Sequence, residues 1–397
     1  METLETRIVL SAPHPVDLST LNGTTGFRLD GIDPFDKSGS SVSSAGDVNG
    51  DGFDDLLIGA EHSDPNGDDR AGESYVVFGK SSGFGAELDL ATLNGTTGFR
   101  LDGIDAADWS GNAVSSAGDV NGDGFDDLII GARHGDPNGD SDAGESYVVF
   151  GKSSSFGAAL DLSTLDGTTG FRLDGIDPGD NSGRAVSSAG DVNGDGFNDL
   201  IIGALYSDPK GNIDAGESYV VFGKSSGFTA ALDLSTLDGT TGFRLDGIDA
   251  SDESGRSVSS AGDVNGDGFD DLLIGARYGD PNGDSNAGES YVVFGKSSGF
   301  AAALDLSTLD GTTGFRIDGI DADDQSGRSV SSAGDVNGDG FDDLLIGAIY
   351  GSSNGSATGE SYVVFGKSSG FAATLDLATL DGTTRSDERR VGKECVP

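Results

Sequence analysis

Apolar residues in this chain come in short runs, and the runs recur. Asp-Leu-Leu-Ile-Gly-Ala at 55–60 and Glu-Ser-Tyr-Val-Val-Phe-Gly-Lys at 73–80 return as near-copies every 72 residues, except that the last copy of the second run follows after 71. Runs of this length, bounded by glycine, predict buried strands; being apolar on both faces, they suit strands sandwiched between neighbouring sheets. Upstream, Ser41 to Val48 reads SVSSAGDV, a strand of small residues suited to crowding around a central axis. The segment Phe99 to Ile104 alternates, with Phe99 and Leu101 on one face and Arg100 and Asp102 on the other. A charged face of that kind predicts an edge strand protected from pairing with other chains. No segment carries a helical period.

Each unit therefore holds four strands, and a fixed long period means one supersecondary unit stacked repeatedly. Four-stranded sheets arranged around an axis are the blades of a β-propeller, an all-β fold. A β-helix would use a rung shorter than 72 residues. Residues 1–26 form a lead-in, 27–384 supply five blades' worth of strands, and 385–397 form a non-repeating tail. A fourth-type strand appears first, at Phe27 to Ile32, and the last unit starts its first strand at Ser329 without reaching a fourth of its own. A ring would close by pairing the N-terminal strand with the final blade; otherwise the array is a fragment of a longer one. The tail favours the fragment, because Arg385 to Cys395 breaks the repeat and closely resembles a translated sequencing adapter, an artefact.

Between the first two strands of every unit lies the loop GDVNGDGFDDL, with Asn198 as its one variation. It occupies 47–55, 119–127, 191–199, 263–271 and 335–343. In the first copy Asp47, Asn49, Asp51 and Asp55 place side-chain oxygens at positions 1, 3, 5 and 9, and the Phe53 carbonyl adds one at position 7. The second and third copies offer Asp119, Asn121, Asp123, Phe125 and Asp127, then Asp191, Asn193, Asp195, Phe197 and Asp199. The fourth and fifth offer Asp263, Asn265, Asp267, Phe269 and Asp271, then Asp335, Asn337, Asp339, Phe341 and Asp343. Hard oxygen donors in a glycine-curled turn suit Ca²⁺, about one ion per repeat. A solvated acidic turn has no reason to keep Asp at positions 1, 5 and 9 together. Position 8, Asp54 in the first copy and Asn198 in the third, is expected to point away from the ion into solvent. An EF-hand does not fit, since its position-12 glutamate is replaced by Ile58 and its equivalents and helices do not flank the loop.

The chain carries 68 acids against 23 bases, a formal charge of −45. That balance argues against nucleic-acid binding, which needs clustered Lys and Arg. Self-repulsion at this charge destabilises a compact state unless cations relieve it. A saline habitat is a second account of the acidity. No apolar run approaches the roughly 18 residues a membrane helix needs, and METLETRIVLSAPHP lacks the features of a secretory signal. A lone cysteine, Cys395, precludes an internal disulfide.

A second acidic motif recurs before each first strand: Asp30, Asp33 and Asp36, then Asp102, Asp105 and Asp108, then Asp174, Asp177 and Asp180. It reads as a solvated turn, with an ancillary cation site as the alternative. The loop from Asp64 to Asp68 reads the same way and is replaced in the last unit. His14, His62 and His134 fall in the first third and read as unrelated to one another. With no nucleophile beside a base and no Zn²⁺ spacing, the repeats are not expected to be an enzyme.

The run SVSSAGDVNGDGFDDLLIGA followed by GESYVVFGK resembles the FG-GAP repeat of the integrin α-subunit propeller and its bacterial relatives, over about residues 27–383. The opening Phe-Gly stands here as Ser38-Gly39, and the proline of Gly-Ala-Pro is replaced by Glu61, Arg133, Leu205, Arg277 and Ile349. The resemblance implies a parent ring of seven blades and an extracellular or cell-surface adhesion role. It also implies a protein or carbohydrate ligand on a propeller face. The alternative is a non-catalytic scaffold within a larger secreted enzyme or toxin-type calcium-binding protein.

Overall fold

The structure, a computed structural model, describes residues 17–352 and 357–380. His14, Cys395 and the whole non-repeating tail lie outside the described residues. Each repeat folds into one antiparallel sheet in chain order. In the third these strands are Ala185–Gly190, Asp199–Ala204, Glu217–Val221 and Gly242–Asp246. The second strand has the expected bounds. The first ends early, at Gly46 in the first repeat, where a bulge shifts the register between Ser44 and Gly46. Among the described residues helical structure is limited to three-residue 3-10 turns such as Leu162–Thr164, capped by the Asp161 carboxylate.

The expected edge strand is not an edge in the first four repeats. A short strand from the next repeat, such as Ala159–Asp161, pairs parallel to Gly98–Asp102 and covers it. Aromatic packing draws that excursion back: Phe156 stacks on Phe99 with ring centroids 4.3 Å apart. The charged face of the fourth strand is used inwardly. Arg100 bonds Asp102 and lies 3.4 Å from the buried Glu73.

Successive sheets pack with their first strands side by side in chain order, consistent with propeller blades. In the first four repeats alternate residues of the second and third strands enter the cores on either side of the sheet. Leu57 and Val76 face the second repeat, while Ile58, Tyr75 and Val77 face the other way. Each such side chain contributes about 1.5–3 kcal/mol when fully buried, so the seams between repeats carry much of the stability. No sheet closes the array among the described residues. The N-terminal strand Arg28–Asp30 pairs with Glu87–Asp89 instead of with the final repeat. Hence the ends are thinly covered: Val42 is 67% exposed where its equivalent Val186 is 8%.

Candidate metal centre

The loop joins the first two strands and folds around its own carboxylates. In the first copy Asp47 accepts hydrogen bonds from the backbone N–H groups of Gly50, Asp51 and Gly52. Asn49 accepts from Asp51, and Asp51 from Phe53. Gly50 and Gly52, at φ of 72° and 86°, supply the left-handed turns this curl requires. Asp55 stands at the base, fully buried, with Val48 and Gly79 donating to its two oxygens. The second, third and fourth copies repeat each of these bonds.

Electrostatically the base of the loop is unbalanced. Burial pushes the carboxyls of Asp127, Asp199 and Asp271 up to about 8, and the position-5 and position-1 aspartates add to the rise against the two backbone bonds that oppose it. Asp55 is pushed up to about 7 by the same causes. No lysine or arginine forms an ion pair with these four buried aspartates, or with the buried Asp343 of the fifth loop, among the described residues. In donor chemistry the loop fits a hard divalent cation, with three carboxylates, an amide oxygen and backbone carbonyls in nine residues. The oxygens do not converge as they stand. Among the described residues no group of three or more His, Cys, Asp or Glu side chains is disposed to hold an ion, because the position-1, -3 and -5 oxygens are turned onto backbone N–H groups.

From the second loop on, position 8 does not simply face solvent. Asn198 Oδ1 accepts a 3.0 Å hydrogen bond from the N–H of Asp119, the first residue of the preceding loop. Asp126, Asp270 and Asp342 make the same bond to Asp47, Asp191 and Asp263. Asn and Asp are interchangeable there because both offer an acceptor oxygen. Beside this latch the Phe197 ring lies against Gly122, where an added Cβ would overlap it. Each loop thus docks on the loop before it, and Asp54 in the first repeat has no preceding loop to grip.

The second acidic motif is not a solvated turn either. Its first and third members are buried, as at Asp102, Asp108, Asp174 and Asp180. Burial pushes Asp108 up to about 8, assisted by the charges of Glu145 and Asp105, and Asp180 to about 6, where a Ser207 hydrogen bond opposes the rise. The histidines are related too. His62 and His134 occupy the same position of adjacent repeats and flank Trp109, with centroids 4.9 and 4.6 Å away. Sequence reasoning also missed the network in which the Tyr219 hydroxyl donates to Glu217 and Arg244 bridges Glu217 and Asp246. Glu217 and Asp246 are cross-strand partners, so this network staples the third strand to the fourth. The period-2 placement of Glu and Tyr in ESYVV was the signal available.

Comparison with known proteins agrees with the repeat boundaries. A family model described as FG-GAP repeat matches residues 38–77, 110–149, 182–221, 254–293 and 326–364, together half of the chain and spanning all five loops. Integrin alpha-PS2 of Drosophila melanogaster is 30% identical over 45% of this chain and 12% of its own length. Integrin alpha pat-2 of Caenorhabditis elegans is 29% identical over 59% of this chain and 17% of its own. Phosphatidylinositol-glycan-specific phospholipase D of Bos taurus is 34% identical over 45% of this chain and 20% of its own. The aligned stretch is thus a fifth or less of those three relatives.

Proposed function

The chain belongs to the FG-GAP repeat family, and from that premise we propose that it is a calcium-loaded interaction module of the adhesion type, working outside the cell or at its surface. One observation carries the calcium reading. Every loop buries an aspartate beside two further loop aspartates, and among the described residues no lysine or arginine forms an ion pair with the buried one. In the first loop Asp47, Asn49, Asp51, Asp55 and the Phe53 carbonyl would hold the ion, and their equivalents would do so in the other four. A bound Ca²⁺ would supply the missing positive charge and cross-link the loop.

The partner class follows from the adhesion reading: a protein or carbohydrate ligand on a face of the array, with similarity to integrin α-subunits in support. No helix of the described residues is long and apolar enough to cross a membrane. A second reading, a non-catalytic scaffold within a larger secreted enzyme, has its own support in the similarity to the phospholipase D. The calcium reading is tested by equilibrium dialysis against ⁴⁵Ca²⁺ alongside thermal melts in EGTA and in millimolar Ca²⁺. About five ions per chain and a large rise in melting temperature are expected. Absence of saturable binding with identical melts would end it.

A further inference from the structure

The ends of the innermost strands opposite the calcium loops gather positive charge in a chain that has little of it. Arg184 stands just before the first strand of its repeat, and Arg256 and Arg328 are the third residues of theirs, Ser254–Gly262 and Ser326–Gly334, each at the close of a turn from Asn181, Glu253 and Gln325. Arg133 and Arg277 each follow the second strand, which runs antiparallel beside the first. Glycine contacts bring these ends together across the seams. A Cβ on Gly131, Gly203 or Gly275 would overlap the carbonyl of Gly183, Gly255 or Gly327, the residue just before the arginine of the next repeat. Asn112, in the arginine's place in the second repeat, completes the seam by donating to the carbonyls of Gly183 and Arg184.

The other arginines among the described residues are paired. Arg100, Arg172, Arg244 and Arg316 each lie between two carboxylates. At the gathered ends the two nearby acids are already engaged, Glu253 by Arg277 at 2.7 Å and Glu61 by Lys37 at 3.0 Å. Arg133, Arg184, Arg256 and Arg328 form no salt bridge among the described residues. Arg133 lies over the Trp109 ring at 4.6 Å, and its Nε is buried without a hydrogen-bond partner among the described residues. The cluster repels itself: burial first, then the charges of Arg184, Arg277 and Arg328, push Arg256 down to about 10. Half-buried like charges without counter-ions are a standing cost, and guanidinium groups match planar or tetrahedral oxyanions with paired hydrogen bonds.

We propose that this end of the array is a binding site for an oxyanion, a carboxylate or a sulfate or phosphate group presented by a ligand, held by Arg184, Arg256 and Arg328 with Arg133 at its edge. The net charge of −45 repels an extended polyanion, so the site takes one isolated anionic group. It lies apart from the calcium loops and does not use their residues.

Isothermal titration calorimetry in Ca²⁺-containing buffer tests it, with sodium sulfate and sodium acetate as probes against chloride of matched ionic strength. The comparison is between the native chain, the Arg184→Gln/Arg256→Gln double variant and Lys80→Gln, a one-charge control at the opposite strand ends. Saturable binding of one anion per chain is expected, weakened at least about tenfold in the double variant, as loss of charge-assisted hydrogen bonds implies, and unchanged in Lys80→Gln. Sulfate preference identifies a sulfate or phosphate ligand group, and acetate binding an acidic side chain. In chloride alone the double variant should melt at or above the native temperature, because like charges have been removed. Absence of saturable binding to either anion, or equal binding by the double variant, overturns the proposal. So does a clear drop in the double variant's melting temperature, since that would show the arginines balanced by carboxylates of the chain itself.

Discussion

Repeats one and three carry nearly the same residues, yet their loops do not stand in the same environment. Asn198 holds the loop before it through Asp119, and the Phe197 ring is seated on Gly122. Asp54 and Phe53, at the same positions, are exposed. The contrast repeats at the other end. Gly122 is roofed by the next repeat's phenylalanine, whereas Gly338 in the fifth loop has open space above it. Identical local chemistry therefore acquires its energetic weight from a neighbour. An interior loop is a cross-link between blades; a terminal loop is only half of one.

The largest expected effect comes from withdrawing calcium. At a free ion concentration a hundredfold above Kd, each site adds about 2.7 kcal/mol to stability by mass action, so EGTA should lower the melting temperature by many degrees. Native-state hydrogen exchange in limiting Ca²⁺ sharpens the comparison. Amides of the first and fifth loops should open before those of the second to fourth, and uniform opening would show that docking between loops adds nothing.

A second test pairs Gly122→Ala with Gly338→Ala. Both glycines sit at positive φ, 73° and 76°, so each alanine costs about 1 kcal/mol of backbone strain. Only at Gly122 does the new methyl also meet Phe197, adding about 1–3 kcal/mol of overpacking. Equal destabilisation in chemical denaturation would break the distinction between interior and terminal loops.

The buried Asp108 gives a test in pH. Its carboxyl is pushed up to about 8 when folded, from an ordinary value of 3.8. Raised values mean that the folded state holds the proton more tightly, so this contribution is full below pH 4 and lost as pH rises to 8. Stability of the native chain relative to Asp108→Asn should fall across that window, by at most about 1.4 kcal/mol per pH unit. Asp324, raised by burial and the charge of Asp321 in the fifth repeat, should show the same sign and a shallower slope in Asp324→Asn. A native chain that gained stability relative to Asp108→Asn as pH rose would contradict its burial as a charge-averse group.

The smallest effect separates Asn198→Ala from Asp54→Ala. Loss of the bond to Asp119 should cost about 1 kcal/mol, while Asp54→Ala should stay within about 0.5 kcal/mol. Urea melts with indistinguishable midpoints would show that position 8 is a surface position after all, as its sequence suggested.

Much of the fold was legible because its signals are local. The run DLLIGA is apolar on both faces, and Asp55–Ala60 is the strand it specifies, with cores on either side. The short strand Ala159–Asp161 was not legible, since its three residues carry no pattern and are held by pairing with the preceding repeat. For the candidate site the acidic turn and its left-handed glycines could be read in the loop. The burial of Asp108 could not, because an aspartate in a turn looks the same whether or not the next strand closes over it.

What the sequence determined by itself was therefore the local pattern within one period. That covers the repeat length, the strand identities, the order of oxygens from Asp47 to Asp55 and the excess of acid that asks for a cation. Tertiary structure decided what passes between periods. Asn198 meets Asp119 across 79 residues, Phe197 settles on Gly122, and the arginines at 184, 256 and 328 are collected at the strand ends opposite the loops. The physical reason is that such contacts depend on how far each sheet is rotated against the next. Packing of the buried faces between blades sets that rotation, and no residue within a single repeat encodes it alone.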